Sequence, residues 1–94
     1  MDRQAYEERV KAQLAEWQAE IDRLQAKAQK ASADTRIAWQ EEIDRLKARR
    51  AEAEARLEEM QAASASAWDD MRQGFEKAWN EMSEAFRKAS GRFE

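Results

Sequence analysis

Pairs of neighbouring carboxylates are the residues closest in type to a general acid and its partner base. Two carboxylates share such work only where both side chains reach the same substrate. Neighbouring residues on a helix point about 100° apart, so side chains paired in this way do not converge. We therefore expect no acid–base catalysis from pairs such as Glu41-Glu42, Glu58-Glu59 and Asp69-Asp70.

The other common catalytic residue types are missing. The chain contains no histidine and no cysteine, which excludes Ser-His-Asp and Cys-His catalysis, thiolate nucleophiles and cysteine-bound metals. It contains no Glu-x-x-His motif of the kind that binds a di-iron centre in helical bundles. Its only glycines are Gly74 and Gly91, so no glycine-rich loop can cradle a phosphate. We expect that the protein is not an enzyme and that it binds no cofactor, no metal and no small-molecule substrate.

The strongest pattern is an aromatic stripe in which Trp, Met and Phe each recur after eleven residues. Eleven residues advance an ideal helix by three turns plus about 20°, so the repeated residues share one face. A face this apolar on a very polar chain predicts a surface that is covered by something else. The aromatic stripe consists of Trp68, Met71, Phe75, Trp79, Met82, Phe86 and Phe93.

Three kinds of partner could cover the aromatic stripe: another helix of the same or a sister chain, a lipid surface, or an unrelated protein. Amphipathic helices with Trp and Phe on one face do lie in membrane interfaces. Anionic membranes, however, select polar faces rich in Lys and Arg, which this segment lacks. The stripe is also flanked by small residues that suit close helix packing, so helix packing is the favoured interpretation. These residues are Ala67, Gly74, Ala78 and Ala85.

A second repeat lies upstream, where residues 17–24 (WQAEIDRL) return as residues 39–46 (WQEEIDRL), 22 residues later. Apolar residues at steps of three and four predict one buried face of a helix. Because Trp overfills a narrow coiled-coil seam, its presence indicates an interface of three or more helices. The alternative is an aromatic docking site for a ligand. The predicted interface residues are Trp17, Ile21, Leu24, Trp39, Ile43 and Leu46.

The composition and these patterns predict an all-α protein. We expect residues 1–62 to form a long coiled-coil helix from about Arg3 to Gln61. After a hinge near residues 64–66, residues 63–94 would form an amphipathic helix from about Ala67 to Ser90. Ser66 is the predicted N-cap of this helix and Gly91 its end signal. The runner-up is a three-helix bundle with a further turn near residues 32–35.

The charge pattern bears on partners. The net charge of −3 arises from 17 basic and 20 acidic residues that are interspersed, so no basic patch predicts nucleic-acid binding. Nor is there an N-terminal signal-like apolar run or a stretch of 18 apolar residues, and we expect a cytoplasmic protein. A lone amphipathic helix would expose its apolar face, which predicts a homo-oligomer. The 22-residue echo would also allow a staggered, open-ended filament.

The order of these features resembles a group of small bacterial coiled-coil domain-containing proteins, some of them associated with stress responses. The resemblance rests on Tyr6, on Leu14-x-x-Trp17-x-x-x-Ile21-x-x-Leu24 with its echo before Leu46, and on Ala67-Trp68 with Ala78-Trp79. It implies an all-helical interaction protein and no catalytic residues. Residues 67–94 are also similar to the eleven-residue repeats of exchangeable apolipoproteins, which implies binding to a lipid surface.

Overall fold

Three α-helices make up the protein in a computed structural model, which describes residues 3–92. Helix α1 spans Arg3–Gln29, α2 spans Ala33–Gln61 and α3 spans Ala65–Arg92. The helices run up, down and up, and the molecule measures 50 × 19 × 18 Å. The predicted all-α class is confirmed, and so is the three-helix bundle that was the runner-up.

The prediction of one continuous helix from Arg3 to Gln61 is wrong, because α1 ends at Gln29. A continuous helix of that span would be about 90 Å long, whereas the longest dimension of the molecule is 50 Å. The backbone N–H groups of Lys30 and Ala31 donate to carbonyls three residues earlier, at 3.1 Å each, which closes α1. Ser32 is extended, with φ −61° and ψ 161°, and reverses the chain without glycine or proline.

The predicted hinge lies where the second connection is found, between Gln61 and Ala65. The capping residue is Ser64 rather than the predicted Ser66. The backbone N–H of Ala67 donates to the Ser64 Oγ at 3.3 Å, which satisfies one of the free donors at the helix start. Helix α3 therefore begins two residues before the predicted Ala67.

Gly91 does not end α3. The helix continues through Gly91 to Arg92, the last described residue. A glycine that ends a helix usually adopts a positive φ, and no residue in the described range 3–92 has one.

The core consists of seventeen apolar side chains, and no polar or charged side chain between residues 3 and 92 is buried. Each helix contributes one face, as the spacing of three and four predicts. Ile21, Leu24, Ile43 and Leu46 are at most 1% exposed, so the structure buries them within one chain. The core residues are Tyr6, Val10, Leu14, Trp17, Ile21, Leu24, Ala28, Ile43, Leu46, Ala53, Leu57, Met60, Trp68, Phe75, Met82, Phe86 and Ala89.

Two arginines join α1 to α2 through backbone carbonyls. The Arg3 Nη2 donates to the carbonyls of Met60 at 2.8 Å and Gln61 at 2.9 Å, which satisfies free acceptors at the end of α2. The Arg50 Nε donates to the Leu14 carbonyl at 2.9 Å. These bonds fix the antiparallel register of the two helices.

Candidate interaction surface

Aromatic residues spaced eleven apart occur on both α1 and α3, and this shared spacing brings rings of the two helices into contact. Tyr6 packs edge-on against Trp68, with ring centroids 5.5 Å apart, and Trp17 packs against Trp79 at 4.4 Å. Tyr6 and Trp17 are eleven residues apart, as are Trp68 and Trp79. An eleven-residue period lies close to the natural pitch of a helix, so two parallel helices stay in register without strong supercoiling. The repeat therefore aligns α3 along α1.

Trp17 lies at the centre of this aromatic contact. Its ring stacks on Phe86 with centroids 4.8 Å apart and an interplanar angle of 4°, and it tilts by 37° against Trp79. Phe75 stacks on Trp79 with ring centroids 5.3 Å apart. Only 6% of Trp17 is exposed. Four members of the aromatic stripe, Trp68, Phe75, Met82 and Phe86, are thus part of the core of a single chain.

The predicted interface residues fall into three groups. Trp39, Met71 and Trp79 are partly exposed and pack against the edge of the core. Phe93 lies outside the described residues. The buried members are Trp17, Ile21, Leu24, Ile43, Leu46, Trp68, Phe75, Met82 and Phe86.

At the start of the seam between α1 and α3, two arginine side chains lie beside the buried ring of Trp68. The guanidinium carbons of Arg3 and Arg72 lie 5.6 Å and 5.8 Å from the Trp68 ring centroid, within cation–π range. The buried Trp68 Nε1 has no hydrogen-bond acceptor among the described residues. Burial raises the pKa of Tyr6 above its ordinary value, and the negative charge of Glu76 adds to that shift.

The far end of the seam is closed by a bond between helices. Ser90 of α3 donates its hydroxyl to the Glu20 Oε1 at 2.6 Å. The side-chain hydrogen bonds from Arg23 lower the pKa of Glu20 below its ordinary value, and the bond from Ser90 contributes. On the opposite side of α3, Arg92 lies 3.6 Å from the Glu42 carboxylate of α2. The end of α3 is therefore held to both other helices.

A groove runs along the α2–α3 seam, and no described residue of α1 lines it. It comprises a section of about 550 Å³ and a neighbouring section of about 230 Å³. Gly74 lies on its wall, exposed to solvent, and a Cβ placed there would meet nothing within 4 Å. The small-residue flank of α3 is thus not used at Gly74 for packing within the chain. The apolar lining consists of Ala53, Ala55, Met60, Met71, Gly74, Phe75, Ala78, Trp79 and Met82.

Charged residues of alternating sign form the α2 rim of this groove: Arg49, Glu52, Arg56 and Glu59. Glu52 and Arg56 form an exposed ion pair at 3.0 Å. Arg49 and Glu59 have no ion pair within residues 3–92. These four residues were not predicted as a surface, although the sequence shows their signal as charges of alternating sign at steps of three, four and three. We call these four residues the α2 rim.

The described residues offer little for other chemistry. No cluster of three carboxylates between residues 3 and 92 is arranged to hold a metal ion. Of the three helices, as far as they are described, none combines the length and apolar character needed to cross a bilayer. Comparison of the chain with protein-family models, curated proteins and solved structures finds no match. The resemblances to bacterial coiled-coil proteins and to apolipoprotein repeats therefore stay expectations.

Proposed function

We propose that the protein is a non-enzymatic helical interaction module that self-assembles into a homo-oligomer through its α2–α3 groove. The observation that carries the proposal is the open groove wall at Gly74, where nothing lies within 4 Å of a Cβ position. Two helices pack with axes 8–10 Å apart, and the closest approaches need small residues at the contact. Gly74, Ala78 and Ala55 provide such a contact beside the apolar Met71.

The fold changes which surface supports assembly. The sequence predicted that Trp17, Ile43 and Leu46 would lie between chains, because a lone helix would expose them. Within one chain the helices already cover them, and their exposed fractions are 6%, 0% and 1%. These buried residues therefore no longer support an oligomer, and the homo-oligomer itself stays a proposal. The partly exposed groove residues now support it. A filament built on the 22-residue echo has less support, because the aliphatic residues of the echo, Ile21, Leu24, Ile43 and Leu46, are buried within one chain.

A matched pair of glycine substitutions tests the groove. Gly74→Gln would place a side chain across the groove, and Gly91→Gln would place the same side chain on α3 outside it. Neither Cβ meets another atom within 4 Å, so both variants should fold, and both remove a helix-weakening glycine. In sedimentation equilibrium at tens of micromolar, we expect the parent chain and Gly91→Gln to associate and Gly74→Gln to remain monomeric. A monomeric parent chain would refute the proposal.

Binding to a lipid surface is the second candidate function. It is supported by the position of the aromatic stripe, which lies on a single helix, α3. Helix α3 alone carries Trp68, Phe75, Trp79 and Phe86 on one face, so a released α3 would present a complete interfacial helix. Release would also uncover Trp17, whose ring stacks on Phe86. The cost of uncovering that ring makes the closed bundle the favoured state in water.

Tryptophan fluorescence separates the two functions. If helices cover the stripe, emission is already blue-shifted in buffer, and vesicles of mixed zwitterionic and anionic lipid change it little. We expect that result. A large vesicle-induced shift that disappears when Trp68→Ala and Trp79→Ala are combined would establish lipid as the partner instead.

A further inference from the structure

We infer that the occupant of the α2–α3 groove is a second copy of this chain, docked about a two-fold axis with the two α2 helices antiparallel. This inference rests on the proposed function and specifies its partner and geometry. It is carried by the order of charges along the α2 rim, together with the groove that the rim borders.

The α2 rim is complementary to itself when it is reversed. From its N-terminal side it reads basic, acidic, basic, acidic, at residues 49, 52, 56 and 59. Arg49 and Glu59 lie five residues either side of position 54, and Glu52 and Arg56 lie two residues either side. A two-fold axis passing near position 54 therefore places Arg49 of each copy opposite Glu59 of the other. It also places Glu52 of each copy opposite Arg56 of the other.

A parallel arrangement in register loses this match. Two parallel α2 helices in register would set each charge against its own copy, and like charges in close contact disfavour association. A two-fold axis makes each contact occur twice, as in most homodimers. The small Ala55 lies beside the proposed axis, and open Gly74 faces the same groove, so a helix can approach there.

The charges of the single chain fit the same conclusion. Arg49 and Glu59 lack an ion pair within residues 3–92, and both are exposed. The Glu52–Arg56 pair is itself half or more exposed, with side-chain exposures of 64% and 51%. An anionic lipid surface or an acidic peptide would meet Glu52 and Glu59 as repulsive groups. A second copy meets all four rim charges with opposite charges.

A double-mutant cycle on Arg49 and Glu59 tests the geometry. The two residues are ten positions apart on one helix, about 15 Å along its axis, and do not contact each other within a chain. Arg49→Glu and Glu59→Arg should each weaken self-association by about tenfold or more at low salt, because the two-fold axis turns two attractive contacts into repulsive ones. The combined variant Arg49→Glu/Glu59→Arg should regain association close to that of the parent chain. Mixing the two single variants should also restore it.

Matched controls and folding checks accompany the cycle. Lys11→Glu and Glu8→Arg make the same charge changes at exposed sites on α1, outside the groove, and should leave association unchanged. Circular dichroism should report equal helix content for all variants, since neither Arg49 nor Glu59 has an ion pair among the described residues.

The readout is the association constant from sedimentation equilibrium, and it separates the two claims. If the parent chain associates but the double variant fails to recover, or the single variants associate normally, the two-fold arrangement is wrong and the proposed function stands. If the parent chain does not associate, the proposed function fails with it.

Discussion

The two copies of the upstream repeat, residues 17–24 and 39–46, share seven of eight residues and many of the same local bonds. In the first copy Gln18 donates to Asp22 at 3.0 Å, and in the second Gln40 donates to Asp44 at 2.9 Å. Arginine also pairs with the glutamate three residues earlier in both copies. Local sequence therefore determines local hydrogen bonding in the same way twice.

Burial differs between the copies, above all at their tryptophans. Trp17 is 6% exposed and is covered by Trp79 and Phe86 of α3. Trp39 is partly exposed, and Ile37, two residues before it, is 62% exposed. The difference shows that the burial of each tryptophan is set by where α3 passes, because the sequence around the two rings is nearly the same.

Replacing each tryptophan by alanine would give the largest effect that tests this comparison. Trp17→Ala leaves a cavity between α1 and α3 and should lower the free energy of unfolding by about 3–5 kcal/mol. Trp39→Ala removes a partly exposed ring and should cost about 1 kcal/mol. Urea unfolding followed by circular dichroism measures both. Equal losses of unfolding free energy in the two variants would mean that α3 does not bury the tryptophan of one copy more than that of the other.

A smaller effect concerns Tyr6, which α3 covers one repeat before Trp17. Its pKa is raised in the folded protein by burial, so the folded state holds the phenolic proton more tightly than the unfolded state does. Stability is then unaffected below the ordinary pKa near 10 and falls as pH rises through the folded pKa. Thermal melts from pH 8 to pH 11 should show a steeper alkaline loss for the parent chain than for Tyr6→Phe. Parallel curves would contradict the burial of this hydroxyl.

The smallest effect is expected at Glu20, whose equivalent in the second copy is Glu42. Ser90→Ala removes one donor to Glu20, so its pKa should rise towards the ordinary value, and stability at neutral pH should fall by about 0.5–1 kcal/mol. A carboxyl group whose pKa is lowered on folding stabilises the folded protein at pH values above its unfolded pKa. This stabilisation is lost as the pH falls through the folded pKa. The gap between parent and variant should therefore close below about pH 4. Ser83→Ala, at another partly exposed serine of α3, is the control.

Much of the core could be predicted from the sequence. Steps of three and four residues identified the buried face of the first sixty residues, and the capping signal of Ser66 and Asp69 predicted the second connection. Trp39 is the exception on that face, because its exposure depends on the path of α3. The spacing of apolar residues within one helix does not indicate whether a helix distant in the sequence covers a given residue.

The first turn was predicted only by the runner-up, and the groove was not predicted at all, for different physical reasons. The turn at residues 30–32 contains no glycine, proline or positive φ, so its sequence is compatible with helix. The absence of glycine and proline favoured a continuous helix, whereas the antiparallel register brings the two copies of the repeat together, with Ile21 and Ile43 both fully buried. The groove depends on the distance between α2 and α3, which no short segment of the sequence encodes.

The most direct test of this account is one distance across the α1–α2 hairpin. The chain has no native cysteine, so Glu16→Cys and Lys47→Cys, both exposed, can be spin-labelled alone and diluted with unlabelled protein to suppress distances between chains. The hairpin sets these positions almost level, and a distance below about 25 Å is predicted for neighbouring helices with axes 8–10 Å apart. A continuous helix would separate them by about 46 Å, and that result would contradict the bundle and the groove that depends on it.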